Sequence, residues 1–351
     1  MNSVPDSVAE AAELARRLEQ SLRQLGELGP ATVGGTPRET VLANDKVTLY
    51  RYGDSRSHKA PGPALLITYA LVNRPYVLDL EPQRSTIAQL LAQGLDVYLV
   101  DWGYPDSGDH QTTLEDYLCD RLDSCVDAVC DLRGESTVNL LGVCQGGTFS
   151  LCYSALFPGK VRNLVTMVTP VDFHTPGNLL SRWVQGVDLD RLATCYGNVP
   201  GGFLNALFLA LQPFRLAGQK YMELADLADD PDRLRTFLRM ERWIADSPDQ
   251  AGRAFAEFVG KLFQRNALVR GEMTIGTVPV LLADVTCPVL NIYAQLDHLV
   301  PPAASMALAN HVGSADYTES AFDGGHIGIY VSQRAQRRIP ATIAGWLQAR
   351  Q

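Results

Sequence analysis

No window of this 351-residue chain reaches the roughly 18 consecutive apolar residues that a membrane-spanning helix needs. The most apolar stretch, GGFLNALFLALQPF at 201–214, is too short and is interrupted by Asn205, so no membrane span is expected. The opening MNSVPDSVAEAAELARR lacks both a basic start and an uninterrupted apolar core, which argues against a secretory signal. Basic side chains are outnumbered, 30 Lys and Arg against 39 Asp and Glu, and the net charge of −9 repels a phosphate backbone. Nucleic acid is therefore excluded as a partner. The seven cysteines, at 119, 125, 130, 144, 152, 195 and 287, form no C-x-x-C pair and have no histidine at metal-ligand spacing. Neither a zinc site nor any other metal site is expected. An odd count without an export signal fits a reducing cytoplasm.

What is present is an alternation. Short Val/Ile/Leu-rich runs at 46–52, 64–70, 96–102, 137–142, 163–171, 288–297 and 316–322 are separated by helical patterns near 85–93, 113–131, from 146, near 303–310 and at 333–349. Such runs predict a mostly parallel sheet flanked by helices, an α/β architecture. Cys119, Cys125 and Cys130 lie beside Leu118, Leu122, Val126 and Val129 and read as small apolar helix residues. Between 174 and 282 the alternation stops and the pattern is helix after helix, which predicts a helical cap inserted over the carboxyl edge of the sheet. The expected organisation is an N-terminal helical segment at 1–36, a core made of 37–173 and 283–351, and the cap at 174–282. Residues 7–29 carry Leu14, Leu18, Leu22, Leu25 and Leu28 at helical spacing, with Ser7 and Glu10 placed like a capping box. That stripe fits packing against its own subunit, with a partner subunit as the alternative.

One short segment carries chemistry. In NLLGVCQGGTFS (139–150) an apolar strand turns at once into a helix, with Cys144 at the apex between Gly142 and Gly146. This is the shape of a nucleophile elbow, in which small flanking residues permit a strained apex. At this glycine and cysteine content about 0.05 chance matches to G-x-C-x-G are expected. The helix that follows offers free backbone N–H groups and positive dipole density, which favour a thiolate and a nearby oxyanion. Gln145 N–H is one expected oxyanion donor. The second is expected from the loop after the strand at 64–70, at the Val72 backbone.

A thiolate nucleophile needs a base, and in the α/β-hydrolase order the acid and then the histidine follow the nucleophile. Six histidines are available. His326, in FDGGHIGIY past the last strand, is the expected base, and Asp297, at the carboxyl end of PVLNIYAQLD, the expected orienting acid. His298 is a secondary neighbour, Asp172 is the rival acid, and Asp101 precedes the nucleophile and is a poor third member. His58, His110, His174 and His311 are expected in solvated loops.

These residues together bring a family into view. LLGVCQGGTFS, with YALVNRPY (69–76), DVYLVDWGYPD (96–106), NLVTMVTPVDF (163–173), CPVLNIYAQLDHLVPP (287–302) and GGHIGIYVS (324–332), resembles the catalytic subunit of polyhydroxyalkanoate synthases. The resemblance runs from about residue 37 to the end, and the short N-terminal segment makes class III the nearest type, with class IV as the other short form. It implies an α/β-hydrolase fold and a Cys-Asp-His triad at Cys144, Asp297 and His326. It also implies polymerisation of (R)-3-hydroxyacyl-coenzyme A, typically 3-hydroxybutyryl, into polyester at the surface of cytoplasmic storage granules. A homodimer and a second, non-catalytic subunit are the implied partners. No cofactor is implied, since coenzyme A is part of the substrate and leaving group.

The coenzyme A phosphates would require local basic residues on an acidic chain, and Arg182, Arg191, Arg215, Lys220 and Arg242 in the cap are available. FLNALFLAL reads as cap core, or else as a dimer or polymer-facing surface. Two other readings stay open: a cysteine hydrolase of the same fold, similar to dienelactone hydrolases or thioesterases, and a granule scaffold with an inactive core.

Overall fold

The computed structural model describes residues 4–29, 31–53, 62–214 and 220–351. The core strands are β1 (Arg38–Asn44), β2 (Val47–Tyr52), β3 (Ala64–Thr68), β4 (Asp96–Asp101), β5 (Val138–Val143), β6 (Val161–Met167), β7 (Val289–Ala294) and β8 (Tyr317–Phe322). Among the described residues they form one eight-stranded sheet in the order β1-β2-β4-β3-β5-β6-β7-β8. β1 and β2 join antiparallel, and every pairing from β4 to β8 is parallel. The central strands are largely apolar because both faces are covered, and their buried Asn139, Asn163 and Asn291 side chains are hydrogen-bonded. Along β3, Leu65 and Ile67 point to one layer and Ala64 and Leu66 to the other. One layer is filled by Val126 and Val129 of a helix over Asp123–Arg133 and by Leu151 of the helix Gln145–Leu156. The opposite layer is filled by Ile87 and Leu90 of Thr86–Ala92 and by Ile339 and Ile343 of Gln333–Gln348.

β1 was not expected. Its sequence RETVLAN is exposed at its first three and last two positions and carries no alternating apolar pattern, because a sheet edge buries little. Asp45, in left-handed backbone (φ 53°), makes the tight turn into β2. The expected helix at 113–131 begins as a widened π-turn segment, Asp116–Leu122, before becoming regular.

Between β6 and β7 the chain runs through helices including Gly201–Leu211, Pro231–Ala245 and Gly252–Phe258. It also forms one small antiparallel hairpin, Thr274–Ile275 with Val278–Pro279, which the helical pattern did not foretell. Phe258 anchors this insertion to the core, its ring meeting Phe149 at 5.7 Å and Phe173 at 6.1 Å edge to face. A second anchor is ionic: the buried Glu81 carboxylate pairs with Arg84 at 2.9 Å and with Arg239 of the insertion at 2.6 Å.

The N-terminal helix spans Val4–Glu27. It begins ahead of Ser7, three residues before the start that the capping-box pattern suggested. Its leucine stripe divides: Leu18, Leu25 and Leu28 pack on Leu224, Leu227 and Leu234 of the insertion, while Leu14 and Leu22 stay exposed. Buried Ser21 donates to the Leu224 carbonyl at 2.8 Å, fixing that docking within the subunit.

Candidate active site

β5 ends at Val143 and the next helix starts at Gln145, leaving Cys144 alone to reverse the chain. It does so with φ 54° and ψ −123°, a conformation a non-glycine residue adopts at a cost of roughly 1–3 kcal/mol. The strain is held from both sides: Cys144 N–H donates to Met167 O at 2.9 Å and its carbonyl accepts from Gly147 N–H at 2.9 Å. The flanking glycines serve proximity rather than dihedral freedom. A Cβ on Gly146 would lie 2.2 Å from the Thr68 carbonyl oxygen, and one on Gly142 would lie 2.4 Å from Gly147 Cα. Only hydrogen fits where helix and strands touch.

Asp297 sits just after β7 and is buried. Its Oδ1 accepts from the Leu299 and Val300 N–H groups at 2.9 and 2.8 Å, which aims Oδ2 at His326 Nδ1, 2.7 Å away. His326, also buried, follows β8 on a loop whose Gly324 lies where a Cβ would come within 2.4 Å of the Phe322 ring. With Nδ1 donating to the carboxylate, the Nε2 edge of the ring faces the Tyr330 hydroxyl at 3.4 Å, and the imidazole lines the same cavity as Cys144. Burial alone would push the imidazole pKa down. The hydrogen-bonded Asp297 carboxylate and the nearby Cys144 sulfur outweigh that, and it is raised to about 10. Asp297 and His326, 29 residues apart, thus meet at a cavity that Cys144 also lines.

The matches with known proteins bear on this geometry. The family model described as "alpha/beta hydrolase fold" matches residues 63–333. Epoxide hydrolase A from Mycobacterium thermoresistibile, 15% identical with a TM-score of 0.52 over 90% of this chain and 99% of that one, shares the fold alone. The poly(3-hydroxyalkanoate) polymerase subunit PhaC of Allochromatium vinosum is 53% identical, over 99% of this chain and 98% of its own length. The chain belongs to the PhaC family. The protein of the same name from Synechocystis sp. is 51% identical over 91% of this chain and 86% of its own.

Within this PhaC-family chain the rival acids are engaged elsewhere. Asp172 Oδ1 accepts from His174 N–H at 2.9 Å and Asn266 Nδ2 at 2.8 Å. Asp101 pairs with Arg74 at 2.7 Å and accepts from Gly103 N–H at 2.9 Å. His298 lines the same cavity as Cys144 and His326. His174 is exposed and His110 and His311 are half-buried, while His58 lies outside the described residues. Among the described residues no cluster of three or more His, Cys, Asp or Glu could hold a metal.

Val72 and Cys144 pack against the same buried layer and line the same cavity. Among the described residues neither the Val72 nor the Gln145 N–H has an intramolecular acceptor, whereas the neighbouring Leu71 N–H is taken by Gln145 Oε1 at 2.9 Å. The other thiols differ from Cys144 in surroundings: burial pushes Cys125 and Cys152 up to about 12 and Cys287 to about 11, and raises Cys119 and Cys130. These five remain protonated at neutral pH.

Cys144 opens onto a cavity of 280 Å³ whose walls are almost wholly apolar. Leu204, Leu207, Phe208 and Leu211 of Gly201–Leu211 form one wall, so the FLNALFLAL stretch faces the cavity rather than filling a separate helical core. None of Arg182, Arg191, Lys220 or Arg242 lines it. Lys220 pairs with Glu241 at 2.5 Å, Arg242 donates to the Ala31 carbonyl at 2.6 Å, and Arg215 is outside the described residues. Tyr330 is the site neighbour that pattern reading missed. Its signal was position, four residues beyond His326, one turn along the helix Gly328–Val331.

Proposed function

We propose that this chain polymerises (R)-3-hydroxyacyl-coenzyme A, with 3-hydroxybutyryl-coenzyme A as the typical substrate, into polyester through a thioester on Cys144. The observation that carries the reading is Cys144 on a strained turn, lining one apolar cavity with an imidazole that Asp297 holds at 2.7 Å. The names of relatives sharing half the sequence support the product class.

In the first step the Cys144 thiolate attacks the acyl carbonyl. The oxyanion is held by the Val72 and Gln145 N–H groups, the carbon–sulfur bond to coenzyme A breaks, and His326 delivers the proton to the departing sulfur. The exchange replaces one thioester by another of similar energy, so the acyl group keeps its activation. A serine ester would be about as stable as the product and would leave little drive for elongation. In the second step a 3-hydroxyl attacks the Cys144 thioester, its proton passing to His326, or to Asp297 as the alternative, while the new ester forms and the thiolate is released. Water in the site would end the chain by hydrolysis, and the apolar walls disfavour it. The helical insertion acts as the cap over this cavity. We further propose a homodimer, a second non-catalytic subunit and action in the cytoplasm at the surface of polyester granules. The relatives' designation as subunits supports the second partner.

The test is mass spectrometry after brief exposure to 3-hydroxybutyryl-coenzyme A. An acyl adduct on Cys144, with turbid polymer and free thiol at longer times, is expected. Soluble 3-hydroxybutyrate alone would assign a hydrolase. An adduct on Cys119 or Cys152, or a Cys144→Ala protein that still releases coenzyme A, would overturn the mechanism.

A further inference from the structure

The Val72 N–H belongs to the same peptide unit as the Leu71 carbonyl. In a trans peptide the two point in opposite directions, so whatever holds the carbonyl aims the N–H. The structure has no cis peptide among its described residues. The Leu71 carbonyl accepts from Gln250 Nε2 at 2.8 Å. Gln250 comes from the inserted segment, lines the cavity and is buried, and its backbone is pinned by a reciprocal pair of 2.8 Å hydrogen bonds with Val199. Its carboxamide is therefore presented from a fixed point.

Neighbouring residues of the same loop are also tied to the inserted segment. Asn73, in left-handed backbone at φ 57°, donates its side-chain amide to the Trp243 and Ile244 carbonyls at 3.3 Å each. The Trp243 indole N–H returns a bond to the Arg74 carbonyl at 2.8 Å. On the core side the Leu71 N–H is held by Gln145 Oε1 at 2.9 Å. The peptide that carries the Val72 N–H is thus clamped between the residue after the nucleophile and a glutamine of the insertion.

We infer that Gln250 is a positioning residue for the oxyanion site: by holding the Leu71 carbonyl it orients the Val72 N–H, and it does so only while the inserted segment is seated on the core. This rests on the oxyanion role proposed above for Val72. Acyl transfer then needs the seated insertion for its electrostatics as well as for shielding from water, because an unseated segment would free the Leu71–Val72 peptide to rotate.

The experiment compares wild type with Gln250→Leu, which removes the donor at similar volume, and Gln250→Glu, which keeps the shape but presents oxygen to the Leu71 carbonyl. Two reactions of Cys144 are timed. Alkylation by iodoacetamide displaces iodide and develops no oxyanion, whereas the acylation burst with p-nitrophenyl butyrate does. Acylation is expected to fall roughly 10- to 100-fold in both variants, below the loss seen when an oxyanion donor is deleted outright. Alkylation and its pH profile should stay within about twofold of wild type, and for the coenzyme A substrate the loss should appear in kcat rather than KM. Acylation within twofold of wild type in a folded Gln250→Leu protein overturns the inference. So does a parallel fall in both reactions, which would mark a general structural role. The ester burst reads the oxyanion site whatever the natural substrate. Wild-type protein that gives the burst yet ignores 3-hydroxybutyryl-coenzyme A would therefore count against the proposed substrate and leave the Gln250 comparison decisive on its own.

Discussion

Replacing Asp297 by asparagine is the sharpest test of the site. The two backbone donors, Leu299 and Val300 N–H, bind Oδ1 at 2.9 and 2.8 Å, and they will select the amide oxygen of an asparagine because two N–H donors cannot face an NH2 group. The amide NH2 is then turned toward His326 Nδ1, where the carboxylate now accepts at 2.7 Å. Nδ1 must become an acceptor, so the neutral ring carries its proton on the edge that faces Cys144. It can no longer take a proton from the thiol. The imidazolium also loses its carboxylate, the largest of the influences that raise the His326 pKa against burial, so its protonated form is destabilised. Loss of both tautomer and counter-charge is worth about 10³- to 10⁴-fold in the acylation rate, or ~4–5 kcal/mol of transition-state free energy, by analogy with the serine triad. The assay is rapid-quench acylation of Cys144 alongside iodoacetamide alkylation at pH 7, with thermal melting to show that the protein is folded. Both rates should drop. A folded Asp297→Asn protein that acylates within tenfold of wild type would refute the assignment of Asp297 as the orienting acid.

Two further outcomes follow from the same geometry. Gly146→Ala would place a methyl group 2.2 Å from the Thr68 carbonyl oxygen and 2.6 Å from the Tyr69 carbonyl oxygen, backbone atoms at the end of β3 and just beyond it. The strain should cost ~1–3 kcal/mol or more in denaturant unfolding and lower acylation, and an unaltered midpoint would mean the elbow is looser than described. For His326, whose pKa is raised in the fold to about 10 from an ordinary 6.5, the contribution to stability is complete below pH 6.5 and is lost as pH rises toward 10. The melting-temperature advantage of wild type over His326→Gln should therefore shrink across that interval; an advantage that grows with pH would show that the folded imidazole is neutral.

The architecture was legible from the chain because parallel strands covered on both faces must be largely apolar. Runs such as ALLIT and VNLLGV announce themselves, while the edge strand RETVLAN, with little to bury, does not. The elbow was legible for a similar reason. Helix and strands approach so closely around Cys144 that only glycine fits at 142 and 146, and that need is written locally. Asp297 and His326, which meet at 2.7 Å, could be picked out as residues shortly after strand ends, in the chain order that the α/β-hydrolase pattern expects.

What needed tertiary structure was everything that depends on partners distant in sequence. Sequence left Asp172 open as the acid; contacts with His174 and Asn266 engage it elsewhere. The apolar stretch at 203–211 is equally greasy as filler or as cavity wall, and only packing decides which. Tyr330 beside His326, and Gln250 reaching across 179 residues to the Leu71 carbonyl, leave no periodic or local signature. Hydrophobic patterning reports how much of a segment is buried, a one-body property of each residue. Which polar atom meets which is a pairwise property, set only when the sheet, the elbow and the inserted helices have been brought together.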